Sequence, residues 1–366
     1  MKKTYLYLLV SLRILFLTSC DSNNAKYYAN KLKEFEVEVI ADTISGTPLL
    51  ERKFIEPMGI ETVDDYLLVI ENSKSDRIFS VIGLKEDSVV ARFGQIGHAR
   101  NEFSWAPTTC YFGKEKGNIM MYVAELSKKI KVVNLSKSIQ EENCVVSQLI
   151  EHGEDTERYF YISKKKNIIS QYITYEDPRD HIYLPPKYIL KDNNKNQEFT
   201  FYPSIISCPN LDLITTIYNS EMRFCPNNNK IVEGLLYMNF INIVDVNGLK
   251  TIGVVEKDAL RFEDVERHQN DPKWMENNIK ACTRSMSVTE HYIMVLQDSR
   301  ILKETAIEEV NNNRRLLIFN QDGDYLNCVC IADKIDNIAY SEFTKQLYGI
   351  NQQGTILKYN LSQILK

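Results

Sequence analysis

Short apolar runs, separated by charged and turn-forming residues, recur along this chain. The interval from Pro57 to Pro107 shows the unit most clearly. It holds four runs: Met58 to Ile60, Tyr66 to Ile70, Ile78 to Ile82 and Ser88 to Phe93. Polar stretches bound them, such as Val63-Asp64-Asp65 and Asn72-Ser73-Lys74-Ser75-Asp76, together with Gly83. None is long enough for a typical helix, and Val, Ile, Tyr and Phe dominate, so all four are predicted to be strands. Four strands in about 40 residues, if the unit recurs, make one blade of a β-propeller.

It does recur. A second blade is predicted from Thr108 to Phe112, Asn118 to Glu125, Ile130 to Leu135 and Cys144 to Ile150. Leu68-Val69-Ile70-Glu71-Asn72 and Tyr122-Val123-Ala124-Glu125-Leu126 correspond, each an apolar strand ending in Glu. The third is less regular: Tyr159 to Ile162, Ile168 to Tyr175, His181 to Ile189 and Glu198 to Tyr202. The fourth is placed at Ser204 to Cys208, Leu211 to Tyr218, Leu235 to Val244 and Thr251 to Val255. The fifth is placed at Ser285 to Val288, His291 to Gln297, Arg315 to Asn320 and Tyr325 to Ile331, with an Asp322-Gly323 hairpin signal. The sixth has only Asn337 to Tyr340, Gln346 to Asn351 and Thr355 to Asn360. Phe35 to Ile40 or Leu49 to Phe54 is expected to supply its fourth strand and close the ring. Between blades four and five, Asp271-Pro272 reads as a helix cap followed by Pro at the first helical position. A short helix is predicted over Pro272 to Ala281, and a second over Asp258 to Arg267. The predicted fold class is all-β: a six-bladed propeller with a short helical insertion between blades four and five.

Composition agrees. In 366 residues the hydrophobic fraction is 44% and the charged fraction 25%, which excludes disorder over the bulk of the chain. The 21 Tyr and 15 Phe favour pleated surfaces. A net charge of -5 gives no attraction to nucleic acid or to an anionic membrane surface.

The first residues modify the picture. Met1-Lys2-Lys3 is basic, Thr4 to Leu17 is apolar apart from Arg13, and Leu17-Thr18-Ser19-Cys20 follows. The layout is that of a secretory signal. It resembles the bacterial lipoprotein signal, in which Leu, two small residues and Cys form the lipobox; Arg13 departs from that pattern. The resemblance implies a signal peptide over 1–19 and lipidation of Cys20. It also implies an address at the cell envelope, the outer membrane being favoured over the inner; the polar stretch over 20–34 reads as a flexible tether, and the blades occupy 35–366. Of the later cysteines, Cys110, Cys144, Cys208, Cys225, Cys282, Cys328 and Cys330, most lie in or beside apolar runs. Buried free thiols are expected, the alternative being one disulfide, Cys208 to Cys225, in an exported protein.

Arg92-Phe93-Gly94-Gln95-Ile96-Gly97, then Asn101-Glu102-Phe103 and Pro107, resembles the signature of NHL-type propeller repeats. There the glycines allow positive φ in the turn that crosses between blades, and the Phe tucks between them. With the lipobox, the chain is similar to the TolB-like, six-bladed propeller lipoproteins of Bacteroidetes. That resemblance implies a fold and an envelope location, and no defined activity.

Ligand loops in such a fold are those joining second to third strands and one blade to the next. Here they are placed at Glu71 to Asp76, His98 to Ala106, Glu125 to Lys129, Asn219 to Gly234, Glu256 to Arg284, Asp298 to Asn313 and Asn351 to Gly354. His98, Arg100, Asn101 and Trp105 form the densest group: Arg can grip a carboxylate and Trp offers a stacking surface. Asp76, Glu125, Glu221 and Asp298 could ring the same face and hold Ca²⁺ through oxygen. No pair among the five histidines has metal-ligand spacing, and there is no phosphate loop or nucleophile constellation. The favoured reading is a monomeric, non-catalytic module that needs no cofactor and binds a peptide, a glycan or an envelope protein. The alternative is a calcium-type hydrolase or lyase at the central channel.

Overall fold

The computed structural model describes residues 31–365 except 38–42, 52, 109, 126–127, 153–157, 164–165, 172–173, 178–180, 184–185, 194, 202–215, 269 and 299–313. Six small antiparallel sheets follow one another along the chain as a six-bladed β-propeller. Blade one is Gly59–Val63, Tyr66–Ile70, Phe79–Gly83 and Ser88–Phe93. Blade two is Cys110–Glu115, Asn118–Glu125, Lys129–Asn134 and Val146–Glu151. Blade three is Arg158–Ser163, Lys166–Ser170, Pro186–Asp192 and Lys195–Phe201; blade four is Ser220–Cys225, Lys230–Leu235, Phe240–Asp245 and Lys250–Glu256. Blade five is Thr283–Val288, Tyr292–Gln297, Arg314–Asn320 and Tyr325–Ile331. Blade six is Asn337–Ser341, Gln346–Ile350 and Ile356–Asn360, closed by Thr47–Pro48 from the start of the chain.

The middle strands are continuous apolar runs because both faces of each blade are covered. Side chains alternate across a strand, so Leu68 and Ile70 pack toward blade two while Leu67 and Val69 pack toward blade six. Met294 and Leu296 face blade six, and Ile293 and Val295 face blade four. Each of the six seams between neighbouring blades thus has its own buried cluster. A seventh cluster lies under the insertion, where Phe262, Val265, Met275 and Ile279 pack on Tyr218 and Phe240. The insertion holds helices Phe262–His268 and Pro272–Asn278, and the Asp271 side chain caps the second by accepting from the Trp274 N–H.

First strands stand around the axis, where an open strand edge leaves backbone groups to satisfy. Neighbouring side chains meet several of them. The Ser285 and Ser287 hydroxyls accept from the N–H of Ile338 and Tyr340 at 3.2 and 2.8 Å. Thr62 donates to the Tyr340 carbonyl at 2.6 Å.

Several expectations are corrected. The stretch placed as a ligand loop at Asn219 to Gly234 forms the first two strands of blade four. Glu221, Arg223 and Glu233 made those strands look polar, but they alternate with Met222, Phe224 and Val232, and Pro226 to Asn229 is their turn. The strands placed at Ser204 to Cys208 and over most of Leu211 to Tyr218 lie outside the described residues. Thr47–Pro48 is the strand that closes the ring, just ahead of the expected Leu49 to Phe54, whose Leu49 and Phe54 N–H groups also donate to Ile356 and Gly354 of blade six. Of Phe35 to Ile40, residues 38–40 lie outside the described residues and Phe35 pairs on blade four. Lys31–Phe35, partly within the expected tether, instead adds a parallel fifth strand to blade four. Thr43–Ile44 does the same on blade five. In blade three, Thr174–Asp177 and His181–Tyr183 form a separate hairpin between the second and third strands. Leu135–Glu141, expected to begin as strand, is a helix capped by Asn134. Cys110, Cys144, Cys225, Cys282, Cys328 and Cys330 are free thiols, so Cys225 forms no disulfide; Cys208 lies outside the described residues.

Strand direction defines two faces. Each first strand runs toward the tight hairpins that join first to second strands, here called the hairpin face. The crossings between blades and the second-to-third loops lie on the opposite, crossing face. Lys31–Phe35 is parallel to Lys250–Glu256, so the chain enters the wheel from the hairpin face.

Candidate ligand site at the mouth of the central channel

The four residues singled out on the crossing between blades one and two lie on a well-anchored loop. Gly94 has φ +76° and Phe103 is fully buried against Phe79, ring centroids 5.2 Å apart at 81°. The Lys131 ammonium donates to the Glu102 carbonyl and lies 4.9 Å over the Phe103 ring. On this support His98, Arg100, Asn101 and Trp105 point to solvent, Trp105 being 57% exposed. They are brought near one another by sequence, and none of them lines the cavity described below.

The four acidic residues come from four blades and enter different networks. Asp76 pairs with Arg92 at 2.9 Å, and Arg92 also reaches Ser80 and Ser75. Glu125 pairs with Lys131 at 3.2 Å and accepts from the Ser104 N–H, so it holds the crossing loop itself. Asp298 is buried at the end of the second strand of blade five. Glu221 alone lies by the axis. Among the described residues no three His, Cys, Asp or Glu side chains stand close enough to hold one metal ion.

A cavity of about 650 Å³ opens instead on the hairpin face, where the first strands of blades one, two, four, five and six diverge. Its floor is Glu61, Cys110 and Arg223. Arg223, from blade four, bonds Glu221 through Nη2 at 2.5 Å and brings Nε to 3.4 Å from Glu61 Oε1 of blade one. Glu221 also accepts from the Met286 N–H of blade five. An acid–base–acid row therefore crosses between blades at the floor of the cavity. Behind it, Tyr111 and Phe224 meet edge to face at 5.3 Å, and Tyr111 exchanges two hydrogen bonds with the Tyr161 backbone.

The row is incompletely satisfied. Arg223 Nε and Glu61 Oε1 are buried and neither has a hydrogen-bond partner. Desolvation, only partly offset by Arg223 and reinforced by Glu221, pushes the Glu61 carboxyl up to about 7. Burial likewise raises Glu221 above the ordinary carboxylate range. Burial pushes the Cys110 thiol well up, which leaves it a protonated wall rather than a nucleophile. Nearer solvent the walls are Val63, Phe112, Val288 and Phe343. The rim is acidic: Asp64 pairs with Lys114 at 2.9 Å, and Asp65 with Lys85 at 2.6 Å. Glu342 is partly desolvated, yet bonds from Thr289 and His291 hold it below its usual range.

The sequence reading missed this site because it is built from strand ends, not loops. The available signal was a charge inside an apolar strand: Glu61 beside Ile60, and Arg223 between Met222 and Phe224.

No protein-family model matches the chain, and no curated protein matches it. Solved structures do. A member of the DUF4221 family from Bacteroides vulgatus superposes with TM-score 0.53 at 13% identity, covering 90% of this chain and 98% of its own. A Bacteroides fragilis protein named "Putative exported protein" superposes with TM-score 0.54 at 9% identity, with the same coverage. At these identities the likeness is one of fold.

Proposed function

We propose that this protein is an exported, envelope-anchored binding protein whose propeller takes a ligand, without catalysis, in the channel-mouth cavity. The observation that carries the reading is a 650 Å³ cavity of mixed lining whose floor sets the Arg223 guanidinium between Glu221 and Glu61. Concave sites with apolar walls and a few convergent polar groups are the usual form of ligand sites. The ligand is a peptide or glycan segment of the envelope, and the protein acts as a monomer. The exposed group of His98, Arg100, Asn101 and Trp105 offers the opposite face to an envelope protein.

The lipobox supports lipidation at Cys20, and the named export of a structural neighbour fits an envelope location, the outer membrane by preference. The crossing motif supports kinship with NHL-type and TolB-like propellers. The chain enters the wheel from the hairpin face, and the residues from 20 to 31 span at most about 40 Å when extended. A lipid at Cys20 would thus keep the cavity mouth close to the bilayer. A calcium-type hydrolase or lyase is the lesser reading: it needs Asp76, Glu125, Glu221 and Asp298 on one ion, and each lies on a separate blade.

The test is a thermal-shift screen of envelope-derived peptides and glycans on the full chain and on a cavity-filled Val63→Trp variant. A ligand that raises the wild-type midpoint and leaves the variant unmoved supports the reading. Hits that shift both equally, or no hits, overturn it. Cys20→Ser should move the protein from the membrane to the soluble fraction.

A further inference from the structure

We infer that a second cavity, on the crossing face, is a carbohydrate site that takes a neutral sugar ring through neighbouring hydroxyl groups. The site goes beyond the binding reading above and does not depend on it. The cavity measures about 710 Å³ and lies at the seam between blades four and five, with the helical insertion as one wall. It shares no lining residue with the channel-mouth cavity. Four planar polar side chains meet in it: Asn239 and Glu256 from blade four, Gln297 and Arg315 from blade five. They bond in a closed ring. Arg315 donates to both Glu256 oxygens, at 2.9 Å from Nη1 and 2.5 Å from Nη2, and through Nε to Gln297 Oε1 at 2.8 Å. Gln297 donates to Asn239 at 2.6 Å and Asn239 to Glu256 at 2.5 Å, which completes the ring.

The ring is fixed but not exhausted. Among the described residues, its bonds use three of the five guanidinium N–H groups and one of the two on each amide. Each amide oxygen accepts one of these bonds and has room for a second. Spare donors and acceptors are thus held in set directions by the ring's own bonds. They are also within reach: the side chains of Arg315 and Glu256 are 23% and 20% exposed. Groups already fixed in place lose little freedom when a ligand arrives.

The lining chooses the class of ligand. Glu256 answers Arg315 within the ring, so a charged ligand finds no unpaired counter-ion there. Of the other charged lining groups, Asp264 pairs with Arg267 at 3.2 Å, and Lys280 shares the cavity with Asp258 and Asp298. No single charge dominates. A neutral group that both donates and accepts fits the ring, and a hydroxyl does both. Two adjacent sugar hydroxyls match two atoms on the edge of one planar amide or guanidinium, the geometry of bidentate recognition. Tyr237, Ala259 and Leu260 pack on the insertion core while partly exposed, and they give the cavity an apolar wall for the C–H face of the sugar. The insertion, the one break in the blade repeat among the described residues that supplies helices between two blades, builds that wall.

The experiment is saturation-transfer NMR on the full chain with the methyl glycosides of glucose, galactose, mannose, rhamnose and N-acetylglucosamine, and with cyclohexylmethanol as control. At least one glycoside should bind and the control should not. Arg315→Lys keeps the charge but loses the planar fork, and should weaken that binding by about tenfold or more. Leu260→Trp, which fills the cavity from the insertion without touching the ring bonds, should weaken it by at least about tenfold. Val63→Trp, in the other cavity, should leave it unchanged. No glycoside bound, equal binding of the control, or an unchanged affinity in both Arg315→Lys and Leu260→Trp overturns the inference. If one of these two variants folds poorly, the other decides, and the glycoside panel is read on wild type. Loss in Val63→Trp with retention in Leu260→Trp would assign the sugar to the channel mouth, so that this inference falls and the binding reading gains. A glycoside lost in Leu260→Trp, with no ligand sensitive to Val63→Trp, would leave this site standing and overturn the binding reading.

Discussion

On the crossing face, Trp105 stands in solvent with Arg100 and His98 near it, on a loop locked down by Phe103, Lys131 and Glu125. On the hairpin face, Glu61 and Arg223 lie at the bottom of a cavity, ion-paired at 3.4 Å but short of a hydrogen bond. The first region is tied down by its own hydrogen bonds and an ion pair and presents an exposed surface. The second has a recess and unmet bonding. A site that must discriminate a ligand gains more from the second arrangement, because desolvated polar groups reward the right partner and penalise its absence. Polar residues in a loop mark where a chain meets water. Charged residues inside an apolar strand mark where it encloses something.

Substitutions on the two faces should differ sharply. Arg223→Ala would leave Glu221 and Glu61 buried without their cation, at a cost of about 3–5 kcal/mol, read as the drop in urea midpoint. Arg100→Ala, on the exposed loop, should stay within about 0.5 kcal/mol of wild type. Equal effects would break the contrast. Within the crossing loop, Phe103→Ala removes a fully buried ring and should cost about 3–5 kcal/mol, and Trp105→Ala about 0.5 kcal/mol or less. Gly94→Ala should cost about 1–3 kcal/mol, because φ is +76° and a Cβ would stand 2.7 Å from Phe79 Cδ2. A smaller loss would mean that the crossing turn can relax.

The subtlest difference is a drift with pH. The folded-state Glu61 carboxyl is raised from 4.5 to about 7, so the folded state binds this proton more tightly than the unfolded chain. Its contribution is fully present below about 4.5 and is lost as pH rises through about 7. Wild type should therefore lose stability relative to E61Q between those limits, measured as the difference in melting temperature across pH. Asp76, which Arg92 lowers despite some desolvation, titrates identically in both proteins and cancels.

The wheel itself was legible in the chain. Blades one, two, five and six begin and end close to their predicted places, because seams buried on both faces write long apolar runs such as Leu67 to Ile70 and Ile293 to Leu296. The Asp271 cap and Pro272 marked the second inserted helix directly. Blade four was out of phase because Glu221, Arg223 and Glu233 interrupt its first two strands. Glu233 is fully buried there with Lys187, Tyr188, Ser220 and Asn242 as partners. Such a cluster joins residues far apart in sequence, so no local pattern announces it. The strand endings in Glu have a local reason that spacing could not supply. Glu71 accepts from Ser80 on the next strand, and Glu125 pairs with Lys131 in the same way. The site was illegible for the opposite reason: its residues were visible, but only the closed ring brings Glu61 of blade one to Arg223 of blade four.

The contrast between the two faces is tested most directly by hydrogen–deuterium exchange of the full chain, with and without the strongest ligand from the screen. The account predicts slowed exchange in the strand ends and hairpins around 61–65, 110–114, 223–227, 288–290 and 340–343, with the crossing loop unchanged. Protection confined to 95–106 would move the site to the other face and contradict it.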